Sequence, residues 1–379
     1  MRRVAVAGLG LVPVKEYWDR NAQDLFAEAA LKAMKDAGTD KVDSIYVANM
    51  SGALMQDQVN MGALAAGALG RPGLPAIRVE AGTASGGVAF HEAVKAVASG
   101  YSDCVLVGGV EKMSDVLPEY VNTALAMSEE QEYTAYTGVT KAGLSAMLHR
   151  LYLDLYAEPA EVGMMAVKGH DHAVGCRHAQ YPFRMSIERA MDSPMEADPI
   201  HMMECSGVGD GAAALVLVPA GDSGVEVTGS AVATDCCSLA ARKDPLVFEA
   251  VRRAAEKAYG MAGVKPGDID LAEVHDDYTI DGVLSLESLG FARQGEAAKL
   301  VASNATDKEG KIPVNTFGGL KARGHPLGAT GLYQLAEVAL QLRGAAGDHQ
   351  VPGARVGLAQ CIGGLASVSA VNILRRQDP

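Results

Sequence analysis

Apolar residues recur along this chain with two different periods, and the switching between them predicts alternating strands and helices. Residues 4–8 form a short apolar run and read as a buried strand. Residues 24–37 (DLFAEAALKAMKDA) carry apolar side chains at helical spacing and stop at Gly38, a glycine suited to ending a helix. A strand is expected at 42–50, a helix at 88–99 stopped by Gly100, and a buried strand at 103–110 (DCVLVGGV). The same order returns later: a helix at 245–261, a strand at 271–275, a helix at 332–343 stopped by Gly344, and a strand at 356–364 (VGLAQCIGG). Aligning the two series sets Gly100 on Gly344 and Gly108-Gly109 on Gly363-Gly364, which predicts an internal duplication. Between them, residues 114–205 are polar and rich in Met, His and Tyr, and read as an insertion with helices at 139–153 and 159–178. A strand at 212–219 returns to the core, and Ala220-Gly221-Asp222-Ser223-Gly224 reads as a linker. The expected units are therefore 1–222, which includes the insertion at about 114–205, and 223–379.

Composition narrows the function. A chain of 379 residues fits two core units. A net charge of -13 with 5% aromatic residues argues against a nucleic-acid surface, yet leaves room for a small anion at a helix N-terminus. Cys104, Cys176, Cys205, Cys236, Cys237 and Cys361 form no CxxC pair, so reduced thiols and no metal site are expected. The opening MRRVAVAGLGLVPV has two arginines before an apolar run, but it is short, broken by glycine and lacks a small-residue cleavage site. It reads as a first strand rather than a signal peptide. No stretch is apolar enough for a membrane span, so a cytoplasmic protein without a membrane partner is expected.

Four segments carry candidate chemistry. Residues 80–87 (EAGTASGG) form a glycine-bounded turn feeding a helix, which gathers backbone N–H groups and the positive helix end at one point. That suits a nucleophile or an oxyanion; equally, it is a capped helix start with Thr83 or Ser85 as the N-cap. Residues 274–278 (VHDDY) put His275 at a strand end, where it can polarise a carbonyl or hold a water. Residues 315–331 (NTFGGLKARGHPLGATG) pin His325 between Gly324 and Pro326 in a rigid, glycine-dense turn. Residues 360–364 (QCIGG) end a strand at Cys361, either an inert core thiol or an acid/base group.

Together these segments resemble the thiolase superfamily over nearly the whole chain, and most closely archaeal and sterol-carrier-protein-type thiolases. GGLKARGHPLGATG resembles the family's GHP motif, QCIGG its CxG motif, VHDDY its HDxF motif, and VEAGTASGG its nucleophile motif. The resemblance implies an α/β thiolase fold: two duplicated mixed-sheet halves in an α/β/α/β/α layering, with a helical loop domain that binds coenzyme A. It implies acyl-CoA as substrate in lipid metabolism, no tightly bound cofactor, a homodimer or higher oligomer, and in some relatives a small zinc-ribbon/OB-fold partner subunit. The family roles fall on His325 as activator of the nucleophile and oxyanion donor, His275 as holder of the oxyanion-hole water, and Cys361 as acid/base. Backbone N–H groups of Thr83 and Gly363 form the second oxyanion hole. Lys141, His149, Arg150, Lys168 and Arg177 of the insertion are candidates for the CoA phosphates, although a solvated helix face accounts for them equally well.

The departure is at the nucleophile. Thr83 stands where the family keeps cysteine, and Gly82 where relatives usually carry alanine. Tyr278 and Asp277 replace the phenylalanine and the small residue of HDxF. Three readings follow: an acyl-CoA C-acyltransferase with an altered nucleophile, a retro-aldolase that cleaves a 3-hydroxyacyl-CoA without an acyl-enzyme, and a non-catalytic thiolase-like subunit.

Overall fold

The computed structural model describes residues 2–221 and 224–377, so the expected boundary at 222/223 lies outside the described residues. Nine strands form one mixed sheet: β1 (Val4–Leu11), β2 (Ser44–Ala48), β3 (Ala76–Val79), β4 (Val105–Glu111), β5 (Gly211–Pro219), β6 (Gly224–Thr234), β7 (Leu271–Glu273), β8 (Val356–Gly363) and β9 (Val368–Gln377). Their order is β3-β2-β4-β5-β1-β6-β9-β8-β7.

The duplication shows in the pairing. β4 lies parallel to β2 and antiparallel to β5; β8 lies parallel to β7 and antiparallel to β9. β5 then pairs antiparallel with β1, as β9 does with β6. The two series meet where Val4–Val6 of β1 lie opposite Val225–Val227 of β6.

Layering follows from which face each strand buries. β4 is buried along its whole length, so its sequence is a continuous apolar run rather than an alternating one. Val105 and Val107 pack with the Ser85–Ser99 and Thr330–Leu342 helices, whereas Leu106 and Val110 pack with the Ala22–Asp36 helix on the opposite face. The Glu249–Ala262 helix covers the corresponding outer face of the second half, with Val251, Ala254 and Ala258 against Ile373. The shared inner layer is therefore the Ser85–Ser99 and Thr330–Leu342 pair, one helix from each half.

These two helices meet at their starts, and glycine permits it. A Cβ on Gly331 would lie 2.4 Å from the Gly87 nitrogen, and one on Gly86 2.9 Å from the Gly331 nitrogen. Any side chain there would separate the helices. The expected helix at 245–261 begins only at Glu249, because Phe248 has non-helical backbone and donates its N–H to Ser288 Oγ. The one expected at 159–178 ends at Ala173, two residues before Gly175 turns left-handed at φ +82°.

Candidate active site

The turn after β3 carries Thr83 and is built from its own polar atoms. Glu80 Oε1 accepts from the Gly82 N–H at 2.5 Å, and Ser85 Oγ accepts from Ala81 N–H at 2.9 Å while donating to the Gly82 carbonyl at 2.5 Å. Gly82 sits at φ +58°, a conformation that glycine adopts without the strain a side chain would bring. Neither Thr83 nor Ser85 caps the helix, contrary to one sequence expectation: Ala84 is the N-cap, and the Ser85 hydroxyl turns back to brace the loop.

Thr83 is buried, and its hydroxyl donates to the Ile362 carbonyl at 2.6 Å. Cys361 precedes that carbonyl on β8, and its thiol lies 3.6 Å from the Ala84 carbonyl. The turn and the strand end interlock closely. A Cβ on Gly87 would meet Cys361 Sγ at 2.4 Å, and one on Gly363 would meet the Ala81 carbonyl oxygen at 2.2 Å. Burial pushes the Cys361 thiol up to about 12, so it holds its proton at neutral pH.

Two imidazoles face each other nearby. The His275 and His325 rings are 5.2 Å apart, edge to face. His325 Nδ1 lies 2.7 Å from Thr330 Oγ1, and its Nε2 has no hydrogen-bond partner. Both ring nitrogens of His275 are likewise unpartnered, and its Nε2 is 3.8 Å from Asp277 Oδ1. Burial, then the cationic neighbours Lys141 and Arg323, hold the His275 pKa well below its ordinary value; burial, then His275 and Arg323, do the same for His325. Both rings are neutral near pH 7, each with an unpartnered nitrogen. His325, Asp277 and Tyr278 open onto a cavity of about 480 Å³. Ala81, Gly82, Gly363 and Gly364 border a second hollow of about 610 Å³.

Sequence reasoning passed over the groups that hold these histidines. Asp276 Oδ1 accepts from the Leu320 N–H at 2.7 Å, and Asn315 Oδ1 accepts from Val274 N–H at 2.7 Å. Together they tie the end of β7 to the turn that presents His325. Burial pushes the Asp276 carboxyl up to about 7. Arg323 is wholly buried; it donates to Glu337 at 3.1 Å and to the Gly324 carbonyl at 2.6 Å, and it stacks over Tyr333 at 4.9 Å. An arginine and a glutamate at otherwise apolar positions of the GHP segment and its helix were the available signal.

The five insertion residues do not gather into a phosphate site. Lys141 is buried, with its ammonium 2.7 Å from Asp281 and 3.6 Å from Asp277. Burial works against its charge, but the two carboxylates outweigh it and raise its pKa. His149 is 1% exposed with its pKa lowered to about 4 by burial, then by Arg150, so it offers no surface cation. Arg150 pairs with Asp198 at 2.7 Å and Lys168 with Asp307 at 2.8 Å; Arg177 is exposed. The expected phosphate contacts of Lys141 and His149 are thus corrected: both are core groups.

His275, Asp277 and His325 offer ligand atoms within 4.8 Å of one another. A cation there would sit against the Lys141 ammonium, which already neutralises Asp277. Among the described residues no helix is long and apolar enough to cross a membrane.

Residues 9–171 match the family model for the thiolase N-terminal domain, and residues 231–376 that for a thiolase C-terminal domain-like region. The chain belongs to the thiolase family. It is an enzyme of that superfamily of acyltransferases. It is 43% identical to an acetyl-CoA acetyltransferase of Methanothermobacter thermautotrophicus over 99% of this chain and all of that protein. It is 31% identical to sterol carrier protein 2 of Homo sapiens over 96% of this chain and 70% of that protein. The fold is shared with a solved Ltp2-ChsH2(DUF35) aldolase, at a TM-score of 0.86 and 23% identity over 99% of this chain and 98% of that one.

Proposed function

We propose that the chain makes or breaks the C–C bond next to a CoA thioester by acyl transfer, with Thr83 in the place of the nucleophile. The supporting observation is the pair of neutral, buried imidazoles whose free nitrogens include His325 Nε2 at the cavity wall, with the Cys361 thiol across the Thr83 turn. In this reading Thr83 Oγ1 leaves the Ile362 carbonyl and attacks the thioester carbon of an acyl-CoA, or the C3 carbonyl carbon of a 3-oxoacyl-CoA, while His325 takes its proton. The C–S or C2–C3 bond breaks and the departing thiolate or enolate receives a proton, from His325 for the thiolate and from Cys361 for the enolate. The second acyl acceptor then reverses these steps. His275, through a bound water, and the Gly363 N–H stabilise the oxyanions.

A second reading is favoured by the 2.6 Å bond from Thr83 to Ile362, which leaves the hydroxyl on a carbonyl and no base upon it. Here His325 takes the hydroxyl proton of a 3-hydroxyacyl-CoA, C2–C3 breaks to give an aldehyde or ketone, and Cys361 protonates the CoA enolate. No acyl-enzyme is needed. The small partner we propose for either reading is a DUF35-type subunit, as in the aldolase complex.

Mass spectrometry of products separates the readings. The protein receives a 3-oxoacyl-CoA with free CoA, and separately a 3-hydroxyacyl-CoA alone, each with and without the partner subunit. Two shorter acyl-CoAs from the first support acyl transfer. A carbonyl compound plus a shortened acyl-CoA from the second supports aldol cleavage, and neither product in any arm overturns both.

A further inference from the structure

Lys321 lies four residues before His325, on the short Gly319–Ala322 helix, and lines the same 480 Å³ cavity. It is 5% exposed. Among the described residues no carboxylate pairs with its ammonium and no hydrogen bond reaches it; its one contact of note is the Tyr181 ring, 5.7 Å from Nζ. A buried cation without a counter-charge is costly, and a lysine responds by losing its proton more easily. Burial accordingly brings its pKa down to about 8, against the opposing pull of Cys205 and Asp276. Of the two other carboxylates lining the cavity, Asp277 faces Lys141, and Glu196 is exposed to solvent.

A second unpartnered group stands on the same wall. His170 is wholly buried; its Nδ1 lies 3.0 Å from the Phe183 carbonyl, which fixes the N–H there and leaves Nε2 free. Burial, then the Lys321 charge, lower its pKa to about 4. An anion seated between Lys321 and His170 would reverse both effects, keeping the amine charged and drawing a proton onto Nε2. Around these two groups the wall is largely apolar, with Met113, Val121, Leu125, Phe183 and Leu327. An apolar pocket with a few placed polar groups is the usual form of a small-molecule site, and the polar groups set its specificity.

We propose that Lys321, assisted by His170, is the counter-charge for a carboxylate on the acyl arm of the substrate, so that the site takes mono-CoA thioesters of dicarboxylic acids. The proposal rests on reading the cavity as a CoA-thioester site. The anion belongs to the acyl arm rather than to CoA, because the whole pantetheine arm separates the CoA phosphates from a thioester held at His325.

Isothermal titration tests it without requiring turnover. Glutaryl-CoA and valeryl-CoA have acyl chains of equal length that differ by a carboxylate in place of a methyl group. Wild-type protein should bind glutaryl-CoA at least tenfold more tightly, and Lys321→Met should erase that preference while leaving the affinities for valeryl-CoA and free CoA unchanged. Equal affinities in the wild type overturn the proposal, whether or not the variant folds. A Lys321→Met protein that loses free CoA and valeryl-CoA as strongly as glutaryl-CoA also overturns it, since the amine then serves a CoA phosphate. Failure of all three ligands to bind removes the CoA-thioester reading itself. Lys321→Arg, which keeps the charge, should retain the preference.

Discussion

Replacing Thr83 with valine separates a nucleophile from a structural tether. The side chains are nearly the same size and Thr83 is 3% exposed, so the exchange puts a methyl group where the hydroxyl was, and that methyl must draw back from the Ile362 carbonyl oxygen. What is lost in the folded state is the 2.6 Å bond to the Ile362 carbonyl. A neutral hydrogen bond is worth about 1 kcal/mol net, and up to about 3 kcal/mol if its acceptor is stranded without a partner. That shift is readily measured in a urea melt and leaves the enzyme folded. The catalytic consequence differs by orders of magnitude. If Thr83 carries the acyl group, removing its oxygen should lower kcat for thiolysis by roughly 10³-fold or more, about 4 kcal/mol in the barrier. If it only tethers the turn, turnover should fall by no more than about threefold. Steady-state thiolysis of a 3-oxoacyl-CoA, followed by loss of its enolate absorbance, reads the difference. A Thr83→Val enzyme with near-native thiolysis refutes acyl transfer through this residue and leaves the enolate mechanism standing.

Other perturbations probe the surroundings. Thr83→Cys should raise thiolysis and allow a thioester-linked acyl group to be trapped and weighed by intact-protein mass spectrometry; no gain would mean that the pocket serves other chemistry. Gly87→Ala drives a methyl group to within 2.4 Å of Cys361 Sγ and 2.8 Å of Ala370 Cβ, so a loss of about 1–3 kcal/mol in urea melts and a fall in kcat are expected. Arg323→Met takes one of two cations from the buried Glu337 carboxylate and leaves His178 as the other, so a loss of roughly 1.5–3 kcal/mol is expected, again read by denaturant. Burial alone would lower the His178 pKa, but its contacts with Cys176 and Glu337 outweigh that and raise it to about 9. A raised folded-state pKa gives stability that is complete below the unfolded value near 6.5 and lost as pH climbs towards 9. Melts between pH 6 and 10 should therefore show a decline that Glu337→Gln diminishes and that the further exchange Cys176→Ala removes.

Much of the fold was legible because its signals are local. Helix stops at Gly100 and Gly344 and the buried runs of β4 and β8 follow from chain chemistry over a few residues, and their repetition exposed the duplication. Strand β9 escaped notice, although it pairs along its length with both β6 and β8. It follows the Gly363-Gly364 turn, but Ser369 and Asn372 interrupt its apolar run VSAVNILRRQ and its end is charged. At the site, glycine and proline announced His325, and a strand end announced His275. Asp276, Asn315 and Arg323 stayed hidden, because a polar side chain reveals its purpose only through partners that are distant in sequence. The insertion cations misled for the same reason: helical spacing placed Lys141 on a face, but only the fold turned that face towards Asp281.

The origin of each site group explains how the nucleophile position could change without dismantling the rest. His275, His325, Cys361 and Gly363 all come from the second half, on the end of β7, the turn before the Thr330–Leu342 helix, and β8. Thr83 alone comes from the first half. It touches the others through a main-chain carbonyl, which accepts from a hydroxyl or a thiol with equal indifference to the side chains around it. The imidazole pair is fixed by Asp276, Asn315 and Thr330, none of which contacts Thr83 by a hydrogen bond. Under the proposed roles, substitution at this one position alters which bond forms to the substrate while His275, His325 and Cys361 keep their geometry. A thiolase scaffold divided in this way has a short route from acyl transfer to chemistry that needs only the enolate.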